Sequence, residues 1–272
     1  MKYRNIVRGR FVSRPNRFIA EVEVEMKNAE DKAGRRQEDE DGCRQKERVH
    51  VKNTGRCREL LLPGARVVLE KSDNPNRKTR YDLIAVYKEG LARDEDGNPR
   101  PGLVNIDSQA PNKAAAEWLR TLNFDVIRPE YVYGNSRIDF YMEKDGQPYL
   151  MEVKGCTLEI GGIGYFPDAP TQRGIKHLKE LEQAARQGYV CCAAFVVQME
   201  GVNEVRPNIR THPEFGEALG RAERAGVKIL FLGCRVTEDE MVVDRVFSAK
   251  SSDSIEDPGR SVESDGRSFF GI

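Results

Sequence analysis

The sequence predicts a mixed α/β chain in two parts, a small five-stranded β-barrel followed by an α/β half whose mixed sheet is flanked by helices. Three observations predict it. Short runs of alternating apolar residues crowd residues 1–88, helical periods alternate with apolar strands from 103 to 248, and a charged, Gly- and Pro-rich stretch, EGLARDEDGNPRPG (89–102), lies between them.

In the first part, strands are expected at 6–12, 18–24, 49–52, 66–71 and 81–87, with a helical turn at 58–62 ended by Pro63-Gly64. Five short strands in that span suit an OB-like barrel. Residues 27–48, KNAEDKAGRRQEDEDGCRQKER, hold almost no apolar side chain to bury, so they are expected as a solvated, mobile insertion rather than an element. Residues 89–102 are expected as the domain linker.

The second part opens with a strand at 103–106 and a helix at 112–122 behind Pro111, with Trp118, Leu119 and Leu122 on its apolar face. A strand at 126–132, a β-hairpin and a Gly-rich loop follow. Then come a helix at 171–186 N-capped by Thr171, a strand at 189–199, a helix at 213–225 and strands at 229–234 and 241–247. The tail, 249–272, is polar without a period and is expected to be disordered.

The hairpin, RIDFYMEKDGQPYLMEVKG, carries the chemistry. Asp145-Gly146 favours a two-residue type I′ turn, because both positions need φ > 0. Lys144 then pairs with Gln147, and each further pair follows by stepping one residue outward on both strands. Ile138, Phe140, Met142, Tyr149, Met151 and Val153 fall on one apolar face. On the other, Asp139 faces Glu152, and Arg137 faces Lys154. Like charges directly opposed destabilise a sheet, whereas a hard divalent cation between two carboxylates removes the conflict. The pattern points to phosphoryl chemistry, with a surface salt-bridge cluster as the alternative.

Lys+Arg and Asp+Glu both number 44, so net charge gives no argument for a polyanionic partner, but its distribution does. The first twenty residues hold six cations and no acid. Arg8 and Arg10 share a strand face, and Lys52, Asn53, Arg56, Arg58, Arg77 and Lys78 lie in later loops, a set suited to phosphates; a solvated basic surface is the alternative. Arg137, beside the carboxylates, joins the candidates. Tyr165, in the Gly-rich loop, offers a stacking ring, and Arg173 lies near the positive end of the helix at 171–186, though a purely structural turn explains the glycines equally well. His50, His177 and His212 have no ligand spacing and are read as hydrogen-bonded structural residues. Six cysteines without a CxxC pair are read as free thiols. No apolar run is long enough to span a bilayer, so no membrane partner is expected and the chain is read as cytoplasmic.

The stretches VRGRFVSRPNRF, HVKNTGRCRELLLPG, NIDSQAPNKAAAEWL, YGNSRIDFYME, LMEVKGCTLE and GYFPDAPTQRGIKHLKEL make the chain resemble the sugar fermentation stimulation protein A family, and its second half resembles the PD-(D/E)XK nuclease fold. The resemblance implies an OB-like DNA-binding domain at 1–88, a nuclease-like domain at 103–248, and a link to sugar metabolism, maltose use above all. Carried over, it implies metal ligation by Asp139, Glu152, the Val153 carbonyl and the helical Glu117, with Asp139, Glu152 and Lys154 as the catalytic set and Mg²⁺ or Mn²⁺ as the cofactor. Ile138 stands where the nuclease motif has Pro. Whether the chain cuts DNA or regulates genes without cutting is left open, as is a homodimer; RNA ranks below DNA as a partner.

Overall fold

The structure, a computed structural model, describes residues 1–26, 44–53, 55–248 and Phe270. Its first sheet contains β1 (Ile6–Asn16), β2 (Ile19–Glu25), β3 (Arg44–Val51), β4 (Arg66–Lys71), β5 (Tyr81–Arg93) and β6 (Pro99–Asn105), in the order β3-β2-β1-β4-β5-β6. A short parallel pairing of His50 with Asp82 and Val51 with Leu83 joins β3 to β5 and closes the first five strands into the expected barrel. Along β2, Ala20, Val22 and Val24 are buried between outward glutamates, the period-two pattern of a half-buried strand. Gly9 permits the close approach of β1, since a Cβ there would stand 2.6 Å from Val22 Cγ1 and 2.8 Å from the Glu23 carbonyl oxygen.

Two expectations fail in this part. Residues 44–48, assigned to the solvated insertion, are strand: Arg44 to His50 pair with Glu25 back to Ile19. Backbone pairing with β2 holds them without apolar side chains; the rest of the insertion, 27–43, lies outside the described residues. Residues 89–102 form no free linker but most of a hairpin, with Lys88 paired to Gly102 and Arg93 to Pro99. Its charged, Gly-containing tip is what a solvent-exposed turn requires, a composition shared with linkers.

The second sheet contains β7 (Val126–Tyr133), β8 (Ser136–Lys144), β9 (Gln147–Cys156), β12 (Val190–Val197), β14 (Lys228–Val236) and β15 (Met241–Ser248), ordered β15-β14-β12-β9-β8-β7. It is mixed: β12 runs parallel to β9 and β14, and the other pairs are antiparallel. Helix α1 (Ala110–Leu119) packs Ala114, Ala115, Trp118 and Leu119 into a cluster with Phe140, Met142, Met151 and Val153. Helices α2 (Gln172–Arg186) and α3 (Pro213–Arg224) place Leu178, Leu181, Phe215 and Ala218 in a second cluster with Leu150, Phe195 and Phe231. Both clusters continue into the barrel, through Val22 and Leu83 in one and Val68 and Ile84 in the other. The two halves therefore share their cores.

The expected Gly-rich loop contains a small sheet of its own, with β10 (Leu158–Ile160) and β11 (Ile163–Phe166) turning at Gly161-Gly162, and β13 (Val205–Pro207) parallel to β11. Both turn glycines have positive φ, 62° and 84°. Thr171 caps α2 as expected, its Oγ1 accepting the Gly174 amide at 3.0 Å. Among the described residues no helix is long and apolar enough to cross a membrane. Of the expected disordered tail, all but Phe270 lies outside the described residues; Phe270 is buried against Trp118, Phe124 and Tyr149.

A carboxylate centre at the opening of the hairpin

The turn forms as the sequence dictates, with Asp145 at φ 50° and Gly146 at φ 78°. The pairs run from Lys144 with Gln147 to Phe140 with Met151, in the expected register, and the paired ladder ends there. One step further, Asp139 meets β9 through its side chain: Oδ2 accepts the Val153 amide at 2.7 Å. Its Oδ1 accepts from Asn112 Nδ2 on α1, also at 2.7 Å. The facing pair is thus an opening between strands, with Asp139 standing in for the missing backbone acceptor. Ile138 departs from the expected face as well, joining the Leu150 and Leu181 cluster rather than that of Phe140.

Glu152 lies on β9 at 2% exposure. Its Oε1 accepts hydrogen bonds from both His177 Nδ1 on α2 and Lys154 Nζ, two residues along the same strand face. Its Oε2 is buried and has no hydrogen-bond partner. Burial works against the ionised Glu152 carboxyl, but the hydrogen bond from His177 and the charge of Lys154 outweigh it and hold its pKa below the ordinary value. At Asp139, burial and then the Glu152 charge push the carboxyl upward, against the pull of the Val153 amide and Lys154. The two carboxyls are thus pushed in opposite directions, Glu152 down and Asp139 up, and Glu152 keeps one oxygen without a partner.

That donor set fits a hard divalent cation. An orphaned carboxylate oxygen beside a second carboxylate needs positive charge, and Mg²⁺ commonly takes only one or two protein carboxylates while keeping several waters. Among the described residues no three His, Cys, Asp or Glu side chains converge as a metal-holding group; the centre offers two carboxylates, Asp139 and Glu152, one with an unpartnered oxygen. Glu117 is absent from the centre. Its carboxylate pairs with the Met1 amine at 2.6 Å, because five residues separate it from Asn112, about 140° around an α-helix. The contribution of α1 to the centre is Asn112. Val153 enters through its N–H.

The basic candidates divide into two groups. Lys52 is committed to Asp107 at 2.8 Å, Asn53 to the Ile106 carbonyl at 2.8 Å, and Arg77 to Asp82 through two hydrogen bonds. Arg8 pairs with Glu238 at 2.8 Å, and Arg137 with Glu130 at 3.0 Å. Arg10 reaches the Gly64 carbonyl at 3.3 Å. Arg56 and Arg58 are exposed and, with Arg14 and Arg17, line a concavity of about 310 Å³ on the barrel. Lys78 is exposed, and Tyr165 is half-buried beside Arg206 on β13. Arg173 is exposed on α2 and donates from Nε to His177 Nε2 at 3.3 Å.

Sequence reasoning missed Asn112 and discounted His177. Nothing local marks an asparagine that will reach across to another element. For His177 a signal existed: it shares the buried face of α2 with Gly174, Ile175, Leu178 and Leu181, and a polar ring on an apolar stripe needs a partner.

Comparison with known proteins accounts for both halves. Residues 12–92 match the model of the SfsA N-terminal OB domain, and residues 109–240 match that of the sugar fermentation stimulation protein RE domain. A sugar fermentation stimulation protein homolog of Desulfitobacterium hafniense (strain Y51) is 48% identical over 244 residues, covering 89% of this chain and 94% of that protein. A homolog from Clostridium beijerinckii is 44% identical over 245 residues, covering 89% of this chain and 96% of its own. The solved structure of Pyrococcus furiosus SfsA in complex with Ca²⁺ superimposes with a TM-score of 0.72 at 25% identity, over 92% of this chain and 98% of that one. With family models matching both halves and relatives up to 48% identical over most of its length, the chain belongs to the sugar fermentation stimulation protein family.

Proposed function

We propose that this protein binds DNA and hydrolyses its phosphodiester bonds with a divalent cation, Mg²⁺ or Mn²⁺, held by Asp139 and Glu152. The observation that carries the reading is Glu152 Oε2, a buried oxygen of an ionised carboxylate with no partner. Leaving such a group unsatisfied costs about 1–3 kcal/mol or more, and a cation is the partner its charge asks for. The Pyrococcus furiosus relative was solved in complex with Ca²⁺, which supports the choice of a hard, oxygen-ligated ion.

A cation bound there supplies Lewis-acid polarisation of the phosphodiester. Lys154 sets a fixed positive charge beside the centre, where negative charge grows on the phosphorus oxygens in the transition state. Asn112 and the Val153 amide hold Asp139 in one orientation. The exposed guanidinium groups of Arg56 and Arg58 on the barrel, and Lys78, are suited to the DNA backbone, where contacts position the duplex without reading its sequence. Incubating the full chain with plasmid, single-stranded and branched DNA, with Mg²⁺ or Mn²⁺, tests cleavage. Activity that persists in Asp139→Ala assigns it to a contaminant and ends the catalytic reading.

A second reading has its own observation. Lys154 and His177 already answer much of the Glu152 charge, as suits a nuclease-like fold kept for binding DNA in the regulation of sugar metabolism. That version predicts DNA affinity indifferent to chelator and no cleavage of any substrate.

A further inference from the structure

His177 is buried at 4% exposure, and the function proposed above gives it no role of its own. Its Nδ1 faces Glu152 Oε1, and its Nε2 faces Arg173 Nε at 3.3 Å. An arginine Nε can only donate, so Nε2 is the acceptor, and the ring proton sits on Nδ1, directed at the carboxylate. Arg173 thereby selects the tautomer, and the tautomer fixes the carboxylate. With Oε1 occupied by His177 and Lys154, the oxygen left over is Oε2.

We propose that His177 is a positioning residue of the centre, which rests on the cation reading above: it holds Glu152 so that Oε2 alone is presented to the cation, and Arg173 keeps its ring in the donating form. Without the imidazole, the carboxylate is free to turn both oxygens towards the ammonium of Lys154, two residues away on the same strand face. The cation then competes with that pair for its ligand. Groups that orient a metal-binding carboxylate in this way typically contribute about 10–100-fold to affinity.

Calorimetric titration of the full chain with Mn²⁺, at one pH, tests this with wild type, Glu152→Gln, and the His177→Ala, His177→Asn and His177→Gln variants, each checked for a wild-type unfolding temperature. The expected pattern is binding in wild type, none in Glu152→Gln, and a loss of about 10–100-fold in His177→Ala. Recovery is expected in His177→Asn, whose side-chain N–H stands where the ring Nδ1–H stood. His177→Gln places its amide at the far ring nitrogen and should not recover. A purely structural histidine would not separate Asn from Gln. Equal affinity in those two folded variants, or an unchanged affinity in His177→Ala, overturns the positioning role while leaving the cation site standing. A wild-type chain that takes up no Mn²⁺ overturns both.

Discussion

Asp139 Oδ2 accepts the backbone amide of Val153 at 2.7 Å, at the point where β8 and β9 cease to pair. A carboxylate here closes the end of a ladder and, at the same time, stands in the field of Glu152.

These two roles separate under substitution. Asp139→Asn keeps an oxygen for the Val153 amide, removes the charge that burial and Glu152 both oppose, and can be met by a flipped Asn112 amide. We expect it to stabilise the cation-free protein by about 0.5–2 kcal/mol, as replacements at strained functional sites often do. Asp139→Ala leaves the amide without its acceptor and should cost about 1–3 kcal/mol. Urea unfolding without divalent ions compares them, and a more stable Ala variant would refute the ladder role.

Lys52 and Arg56 were both candidates for binding phosphates, and the structure sets them apart. Lys52 neutralises Asp107, which is fully buried; Lys52→Ala should destabilise the fold by about 3–5 kcal/mol, the usual consequence of stranding a buried charge. Arg56→Ala and Arg58→Ala should leave the melting temperature unchanged and each lower the salt dependence of DNA binding by about one unit of slope. A salt slope near zero in the wild type would remove the barrel from the DNA interface.

Five described cysteines are buried. Burial pushes the thiols of Cys57, Cys156, Cys191 and Cys234 up to about 12. In the unfolded chain each ionises near about 8.5, so between those values the native state binds more protons and stability falls as pH rises. Full stabilisation is present below about pH 8.5, and each thiol then contributes a loss of about 1.4 kcal/mol per pH unit. Unfolding in urea at pH 7.5 and 9.5, for wild type and Cys234→Ala, should show the smaller decline in the variant. Equal declines would reject the assignment.

Trp118, the single tryptophan of the chain, has its ring centroid 6.1 Å from that of Phe270. Phe270→Ala should shift its emission to the red and cost about 1–3 kcal/mol, since aromatic pairs add to the area they bury. Unchanged emission would mean that Phe270 does not seat there in solution.

The hairpin register was legible because a type I′ turn is decided by two adjacent residues, and everything from Lys144 to Phe140 follows from it. Its limit is equally physical: where Asp139 leaves the ladder, alternation no longer says what a side chain meets. Asn112 and His177 reach the carboxylates from helices far away in sequence, and such encounters are set by packing rather than by local propensity. The extent of β3 and the 89–102 hairpin were misread because exposed strands held by backbone bonds can be as charged and Gly-rich as a linker. Glu117 shows the same limit, since its helix was expected but its rotation about the axis was not.

The seam between the halves has a consequence for heredity. Tyr3 ahead of β1, Lys52 just after β3, Asn105 at the end of β6, Asp107 before α1 and Gln198 just after β12 form one hydrogen-bonded set. We expect these five positions to be exchangeable only together. Chimeras that swap barrels between relatives at the hairpin tip should express as soluble protein only when all five come from the same parent, and soluble chimeras with mixed parentage at positions where the parents differ would show that the seam tolerates separate inheritance.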